Sequence, residues 1–268
     1  MSFPRVLTRF PARRTAATLA AGAMALTVGA VTAGSGHAVP GPIHAGNTFG
    51  WYRNHLIRYE FVNGNGPYWR TSGPGQVANQ HGMLTLNTAA HGSLSATLTR
   101  QGHAYGRWEI RLRSRRYATA HTNYRVVTEL VPSGGRKQHC GGDEIGLENY
   151  RLGSNRAKFY IHTLPDNDFR AWKGRNLGTD RWHTFAVEAT RTHISWFVDA
   201  HVIRTERRPA ALEGTPLTVR FTMRAAKGKQ MNPSRMQMDW LRYWGDKYPS
   251  SRSVAAPRTV RSTYHGAC

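Results

Sequence analysis

The sequence predicts an all-β protein, built as a β-sandwich or jelly roll of antiparallel sheets. Outside the N-terminal segment, no stretch of twelve or more residues carries apolar residues at helical spacing. About a dozen short runs instead alternate apolar and polar residues or are rich in β-branched and aromatic residues. Turn-forming clusters such as Asn63-Gly64-Asn65-Gly66-Pro67 separate these runs. Many short strands joined by turns are typical of two packed β-sheets.

The predicted strands follow one another along the chain with loops between them. They span residues 56–62, 83–87, 93–99, 105–113, 123–131, 144–150, 157–164, 182–189, 193–198, 202–206, 216–224 and 236–244. The strands at 182–189 and 193–198 are close enough in sequence to form a hairpin. Residues 165–180 are predicted to form a longer loop.

The chain of 268 residues divides into three predicted segments. Residues 1–38 resemble a signal peptide, because four arginines precede an uncharged run at 15–33 and Gly36-His37-Ala38 resembles a cleavage site. Residues 39–245 form the β domain, and residues 246–268 form an extended tail rich in Ser, Pro, Ala and Arg. The expectation is a secreted, extracellular protein with no transmembrane anchor after cleavage. An uncleaved membrane anchor is the alternative.

The net charge of +22 favours acidic partners. A nucleic acid, an anionic polysaccharide and an anionic cell wall all meet that condition. The sequence has no zinc-finger spacing, phosphate-binding loop or heptad repeat, so we expect no specific nucleic-acid recognition. The charge does not choose among these three partners. The protein is expected to be a monomer.

Two cysteines, Cys140 and Cys268, are the only ones in the chain. An even count in an exported protein predicts a disulfide between them. Such a bridge would close a long loop and stabilise the fold by about 4–5 kcal/mol, less any strain. It would also bring the tail close to the acidic cluster described next. Two free thiols, or an intermolecular bond through Cys268, are the alternatives.

One acidic cluster stands out in this basic chain, at residues 141–150. In a strand, side chains alternate between faces, so Ile145 and Leu147 would face the core. Glu144, Gly146, Glu148 and Tyr150 would share the other face. The Cα atoms of two glutamates four residues apart lie about 13 Å apart in a strand. Side chains that lean towards each other could bring the carboxyl groups to about 5 Å, the separation used by a retaining glycosidase.

Five motifs in order give the chain a family resemblance. They are Tyr105-Gly106-Arg107-Trp108-Glu109-Ile110-Arg111, Glu144-Ile145-Gly146-Leu147-Glu148, His183-Thr184-Phe185-Ala186-Val187-Glu188, Ile194-Ser195-Trp196-Phe197-Val198-Asp199 and Met238-Asp239-Trp240-Leu241-Arg242-Tyr243. In this order they resemble glycoside hydrolase family 16, over residues 47–245. The resemblance implies a concanavalin A-like jelly roll of two antiparallel sheets. A groove for β-linked polysaccharides is expected on the concave sheet.

The family's catalytic pattern is Glu-x-Asp-x-Glu, in some members with one more residue before the last Glu. Carried over, the resemblance implies Glu144 as the nucleophile and Glu148 as the general acid/base of a retaining double displacement. The chain departs from this pattern at its centre, where Gly146 stands in place of the Asp. That Asp is implied to hydrogen-bond the nucleophile and to maintain the protonation state of the pair, which glycine cannot do.

Four further residues are candidates for sugar binding. Tyr124 lies on the strand before the catalytic motif, and Trp172 could stack on a sugar ring or anchor its loop. His162 could line the groove, although a solvent-exposed histidine is the simpler reading. Arg224 falls where the family places a polar groove residue and would suit a sulfate or carboxylate, or be one more surface arginine.

No cofactor is expected for the chemistry. Asp239 matches a position at which some family members hold a structural calcium ion, and this leaves a calcium site open. The predicted function is hydrolysis, or transglycosylation, of internal β-glycosidic bonds by a retaining mechanism. The alternative is a glycan-binding or wall-associated protein that has lost most or all turnover.

Overall fold

The structure, a computed structural model, describes residues 44–134, 144–161, 166–167, 169–170, 176–207, 214–254 and 264–265. All of them lie in one compact unit. Within these ranges, a short helix α1 (Ala45–Thr48) precedes seventeen strands. In chain order the strands are β1 (Leu56–Glu60), β2 (Trp69–Ser72), β3 (Gly75–Gln80), β4 (Met83–Thr88), β5 (Leu94–Leu98), β6 (Gly106–Arg116), β7 (Arg125–Pro132), β8 (Ile145–Arg151), β9 (Lys158–Ile161), β10 (Asp166–Asn167), β11 (Phe169–Arg170), β12 (His183–Ala189), β13 (Ile194–Val198), β14 (His201–Glu206), β15 (Leu217–Arg224), β16 (Ser234–Trp244) and β17 (Tyr264–His265).

Two antiparallel sheets account for nearly all the strands. In the described part of the chain, one sheet has eight strands, seven of them in the order β14-β13-β12-β6-β16-β4-β3, with β1 also paired to β16. The other has seven strands in the order β11-β9-β8-β7-β15-β5-β2. A short ladder of β10 and β17 lies apart from both. This architecture confirms the predicted sandwich of two antiparallel sheets.

The core lies between the two sheets. On β6, the side chains of Trp108, Ile110 and Leu112 are buried in it, because they alternate with charged residues that lie on the other face of the sheet. On β15 of the seven-stranded sheet, Val219 and Phe221 point into the same core. The burial of large apolar side chains from both sheets is the main favourable contribution to folding.

The seven-stranded sheet has a second face, turned away from the core, which we call the site face. On β7 the core residues are Val126 and Leu130, so Glu129 lies on the site face. On β15 the core residues flank Arg220, which therefore also lies on the site face. The site face thus collects charged side chains from neighbouring strands.

Most predicted strands are confirmed within a few residues, including the hairpin of β12 and β13. Residues 165–180 were predicted as a loop, but β10 and β11 lie within them. The prediction also missed β2 and β3. Their side chains are largely exposed and polar, so they carry little of the alternation by which a half-buried strand is recognised. No helix in the ranges listed above is long and apolar enough to span a membrane.

Candidate active site

A β-bulge in β8 decides which side chains of the acidic motif reach the site face. Glu148 pairs with Thr128 of β7, whereas the next partner pair is Gly146 with Glu129. Leu147 is therefore an extra residue on β8 with no partner of its own in this register. An extra residue shifts the alternation of every side chain that follows it.

Glu148 consequently points into the core. It lies across from Thr128, whose neighbours Val126 and Leu130 on alternate positions are core residues. Tyr150, two residues further on, is buried in the same core, and its hydroxyl is 2.8 Å from the Oγ of Ser114 on the opposite sheet. The prediction that Glu144, Glu148 and Tyr150 share one face is therefore wrong. Strict alternation could not reveal the bulge at Leu147.

The carboxyl group of Glu148 is fully buried, and neither oxygen has a hydrogen-bond partner in the described part of the structure. Burial raises the pKa of Glu148 well above its usual value, and the neighbouring Thr128 hydroxyl opposes this only partly. Glu148 is thus an interior carboxyl group whose burial favours the protonated form. The structure does not bring it together with Glu144.

Asn149 takes the place on the site face that alternation had given to Glu148. Its side-chain oxygen accepts a hydrogen bond of 2.6 Å from Nε of Arg125, which also lies on the site face. Counted from Glu144, the motif on the site face is therefore Glu144, Gly146 and Asn149. This spacing corresponds to the longer family pattern, with one more residue before the last position, and that last position holds an amide.

Glu144 sits at the start of β8, and its neighbour on the site face is Glu129. Nη2 of Arg220 is 2.7 Å from Oε2 of Glu129 and 3.3 Å from Oε1 of Glu144. Because both oxygens contact one nitrogen, they lie within about 6 Å of each other, close to the separation of paired glycosidase carboxyl groups. Both glutamates are nearly inaccessible to solvent.

Glu129 is held by donors from three sides. The Tyr160 hydroxyl donates to Oε1, and Arg224 donates to the same oxygen at 2.9 Å. Arg220 donates to Oε2 through Nε at 3.2 Å and Nη2 at 2.7 Å. We call Glu129, Glu144, Tyr160, Arg220 and Arg224 the carboxylate cluster.

The cluster separates the protonation states of its two glutamates. Although burial opposes it, the charges of Arg224 and Arg220 and the Tyr160 hydrogen bond hold the pKa of Glu129 below its usual value. Burial, followed by the negative charge of Glu129, raises the pKa of Glu144 to about 7. At neutral pH, Glu129 is ionised, whereas the carboxyl group of Glu144 titrates in this pH range.

Gly146 makes room for Tyr160. A Cβ atom on Gly146 would lie 2.4 Å from Cε1 of Tyr160, far closer than real contacts allow. The Tyr160 ring therefore crosses β8 at Gly146 on its way to Glu129. The carbonyl of Gly146 accepts a 2.9 Å hydrogen bond from the indole of Trp196 in the opposite sheet.

The other predicted binding residues have different outcomes. Arg224 lies on the site face, and 41% of its side chain is exposed. Tyr124 does not reach the site face: it is fully buried in the core, and its hydroxyl donates to the carbonyls of Ala89 and Gly92. The prediction that Tyr124 lines the groove is wrong in this structure, because its place in the alternation of β7 is a core position. His162 and Trp172 lie outside the described residues.

The predicted calcium ligand is engaged in an ion pair. Oδ2 of Asp239 is 2.6 Å from Nη1 of Arg111. The guanidinium supplies the positive charge that a calcium ion would bring, and no group of three metal-binding side chains exists within the described ranges. The ion pair with Arg111 competes for this carboxylate, and a structural calcium ion at Asp239 stays a prediction. Cys140 and Cys268, and with them the predicted disulfide, lie outside the described residues.

Glu129, Arg220 and Tyr160 were missed by the sequence analysis. A signal for two of them exists: charged residues interrupt the otherwise apolar or neutral runs of β7 and β15 at Glu129 and Arg220. A charge inside a buried strand commonly marks an ion pair or a functional site. Tyr160 gave no signal, because a tyrosine is an ordinary strand residue.

Comparison with known proteins identifies the family. The family model described as "Glycosyl hydrolases family 16" matches residues 65–242, which is more than half of the chain. The chain belongs to glycosyl hydrolases family 16. No curated protein matches this family 16 chain.

Solved structures share the fold of this family 16 chain at low identity. The endo-β-1,3-glucanase from Pyrococcus furiosus has a TM-score of 0.58 at 12% identity, covering 74% of this chain and 96% of its own. The endo-1,3-β-glucanase (laminarinase) domain from Thermotoga petrophila has a TM-score of 0.55 at 14% identity, covering 73% and 99%. A β-glucanase from Bacillus licheniformis has a TM-score of 0.50 at 19% identity, covering 70% and 97%.

Proposed function

We propose that this family 16 chain hydrolyses internal β-glycosidic bonds of a polysaccharide, with Glu144 as its reacting carboxyl group. The observation that carries the proposal is Glu144 itself. It retains the first position of the family motif on the site face, beside a second carboxylate and two arginines. A buried carboxyl group with a raised pKa in such a setting is typical of functional sites.

Proton donation is the step that this geometry supports. The family resemblance implies Glu144 as the nucleophile, which reacts in its ionised form. Below a pH of about 7, however, Glu144 is protonated and can give its proton to the leaving oxygen of a glycosidic bond while water attacks the anomeric carbon. The retaining double displacement implied by the family resemblance needs a second reacting carboxyl group on the same face. Glu148 would supply it only if β8 lost its bulge, so retention of configuration stays a prediction.

β-Glucan is the substrate class to test first. The Pyrococcus and Thermotoga structures are named as endo-β-1,3-glucanases, and the Bacillus structure as a β-glucanase. An acidic glycan belongs in the same test. A cleft of about 560 Å³ opens beyond the end of β15, and its lining includes the basic side chains of His91, Lys227 and Lys229.

A second candidate function is glycan binding without turnover. Two observations favour it: Glu148 is buried in the core, and the corresponding site-face position holds Asn149. A protein of this kind would retain the groove but lack the acid/base partner of Glu144. Its glycan affinity would not depend on the ability of Glu144 to give up a proton.

Export completes the proposal. A secreted enzyme would meet polysaccharide outside the cell, and its positive charge would hold it near anionic wall polymers. The Cys140–Cys268 bridge would tie the tail near Glu144. Mass spectrometry of the exported protein under non-reducing conditions tests both the cleavage after Ala38 and the bridge.

The deciding experiment measures sugar release from β-1,3-glucan, mixed-linkage β-glucan and sulfated galactan. Wild type is compared with Glu144→Gln and Glu148→Gln. Turnover that is lost only in Glu144→Gln supports the proposal. Loss in both variants would mean that Glu148 reacts and that β8 rearranges. No turnover in wild type, together with saturable binding to one of the glycans, would establish the second candidate instead.

A further inference from the structure

The carboxylate of Glu129 lies beside Gly146, the position at which the family motif has an Asp. The family resemblance puts an Asp at position 146, between the two glutamates, where this chain has glycine. In the ladder between β7 and β8, the residue directly across from Gly146 is Glu129. Directly paired residues on neighbouring strands have side chains on the same face, about 5 Å apart.

We propose that Glu129 supplies, from the neighbouring strand, the carboxylate that position 146 lacks, and that it acts as a positioning residue for Glu144. Gly146 and Tyr160 belong to the same arrangement. The inference deepens the proposed function, because it names a further residue of that site. Its central test, however, measures Glu144 directly and does not require turnover.

Gly146 and Glu129 are linked through Tyr160. The Tyr160 ring occupies the space that a side chain at 146 would need, with Cε1 2.4 Å from the Cβ position. From there its hydroxyl donates to Oε1 of Glu129. A carboxylate at 146 and this tyrosine therefore exclude each other, so the glycine is a requirement of the arrangement around Glu129.

Glu129 cannot readily react with a substrate itself. Tyr160 and Arg224 donate to one of its oxygens, and two nitrogens of Arg220 donate to the other. These four donors occupy the positions at which a carboxylate accepts hydrogen bonds. Glu129 is therefore placed to act on its neighbour.

Two effects of Glu129 reach Glu144. Its negative charge opposes ionisation of Glu144, and it anchors Arg220, whose Nη2 contacts Oε1 of Glu144 at 3.3 Å. Among the residues that the structure describes, the charged and titratable groups that act on Glu144 are Glu129 of β7, Arg220 and Arg224 of β15, and Tyr160 of β9. Without Glu129, its negative charge would no longer offset the charges of the two arginines, which favour the ionised form of Glu144.

The test is a carbon-13 NMR titration of the Glu144 carboxyl group in glutamate-labelled protein. The signal is assigned by its loss in Glu144→Gln. Glu129→Gln is expected to lower the pKa of Glu144 by about one unit or more, the usual effect of a nearby charge. Arg224→Gln is expected to raise it, because Arg224 favours the ionised form.

Glu60→Gln is the matched control, because Glu60 is paired to Arg242 on the other sheet. It should leave the titration of Glu144 unchanged. A pKa of Glu144 that stays the same or rises in Glu129→Gln overturns the proposal. If Glu129→Gln does not fold, Arg224→Gln decides alone, since a pKa that stays the same or falls in that variant also overturns it.

Turnover separates this inference from the proposed function. If the wild type is active, the pH optimum of turnover should be lower in Glu129→Gln than in wild type, because the optimum follows the pKa of Glu144. An unmoved optimum with intact turnover would contradict the role of Glu129 and leave the hydrolase standing. An inactive wild type in which the NMR shift is still observed would contradict the hydrolase and leave the role of Glu129 standing.

Discussion

At the scale of single residues, the burial of Glu148 predicts how substitutions at this position change the stability of the fold. Its carboxyl group is fully buried, and neither oxygen has a partner in the described part of the chain. A buried polar group without a hydrogen bond costs about 1–3 kcal/mol. Glu148→Met, which keeps the approximate shape and removes both oxygens, should therefore raise the free energy of unfolding by a similar amount. Urea denaturation at pH 7 measures it.

Glu148→Gln is the matched polar variant and should change the stability much less than Glu148→Met. Both variants should retain whatever turnover or glycan binding the wild type has. A lower stability in Glu148→Met together with lost activity would show that the carboxyl group works on the site face. That result would contradict the bulged conformation of β8.

Glu144 predicts how stability depends on pH. Its pKa rises from 4.5 in the unfolded chain to about 7 in the fold, so the native state binds the proton more tightly. The resulting stabilisation is present at low pH and is lost as pH rises through about 7. Between pH 5 and pH 8 the loss should be about 2–3 kcal/mol.

Urea denaturation of wild type and Glu144→Gln at both pH values isolates this contribution, because other groups titrate in both proteins. The wild type should lose more stability than the variant by that amount. Equal losses would mean that Glu144 titrates normally in the fold. They would also remove the acid that the proposed hydrolysis uses.

At the scale of elements, the contact between β8 and β9 predicts the effect of restoring the family's Asp. Gly146→Asp would drive its Cβ against Tyr160, at 2.4 Å from Cε1. Overpacking of this kind costs about 1–3 kcal/mol, and displacement of Tyr160 would also remove a donor from Glu129. Thermal unfolding should therefore occur at lower temperature, and turnover should not increase. Gly245→Ala is the control, because no atom lies within 4 Å of its added Cβ.

The bulge in β8 predicts the position at which a second carboxyl group on the site face could assist catalysis. Asn149 lies on the site face, so Asn149→Glu should place a second carboxyl group there. General acid/base catalysis typically contributes about 10²–10⁴-fold. We expect a gain nearer tenfold, because Arg125 would hold the new carboxylate ionised. Sugar release compared with Asn149→Gln measures the gain, and equal rates would argue that the β8 register is not the limiting factor.

The bulge in β8 also shows which features of the fold and the site could be predicted from the sequence. Alternation located the strands and the two-sheet architecture, because burial on one face leaves a period of two in the sequence. It placed Glu144 correctly but failed after Leu147, since nothing in the residue types there marks an extra residue. Tyr124 was misplaced for a related reason: which face of β7 meets the core depends on the opposite sheet. The proximity of the Glu129 and Glu144 carboxyl groups depends on how two different strands align, and such an alignment leaves no local pattern in the sequence.

At the scale of the whole molecule, the positive charge predicts a second mode of binding. The net charge is +22, and the outward face of the eight-stranded sheet carries Arg113, Arg115 and Arg235 around the single acid Asp180. Arg115 is the most exposed of the three, with 54% of its side chain accessible. This face belongs to the other sheet, so polyanions could bind there without using Glu144.

The two modes should respond differently to salt. Binding of DNA, used as a sequence-blind polyanion, should weaken steeply between 50 and 200 mM salt, because each neutralised phosphate releases counterions. Binding of a neutral β-glucan should change by less than about twofold, since such a ligand carries no charge to screen. Arg115→Gln should weaken DNA binding alone, and Glu144→Gln should leave DNA binding intact. Fluorescence titrations of both ligands test this. A β-glucan affinity that falls with salt as steeply as DNA affinity would mean that the glycan is held by general surface charge and not by the site face.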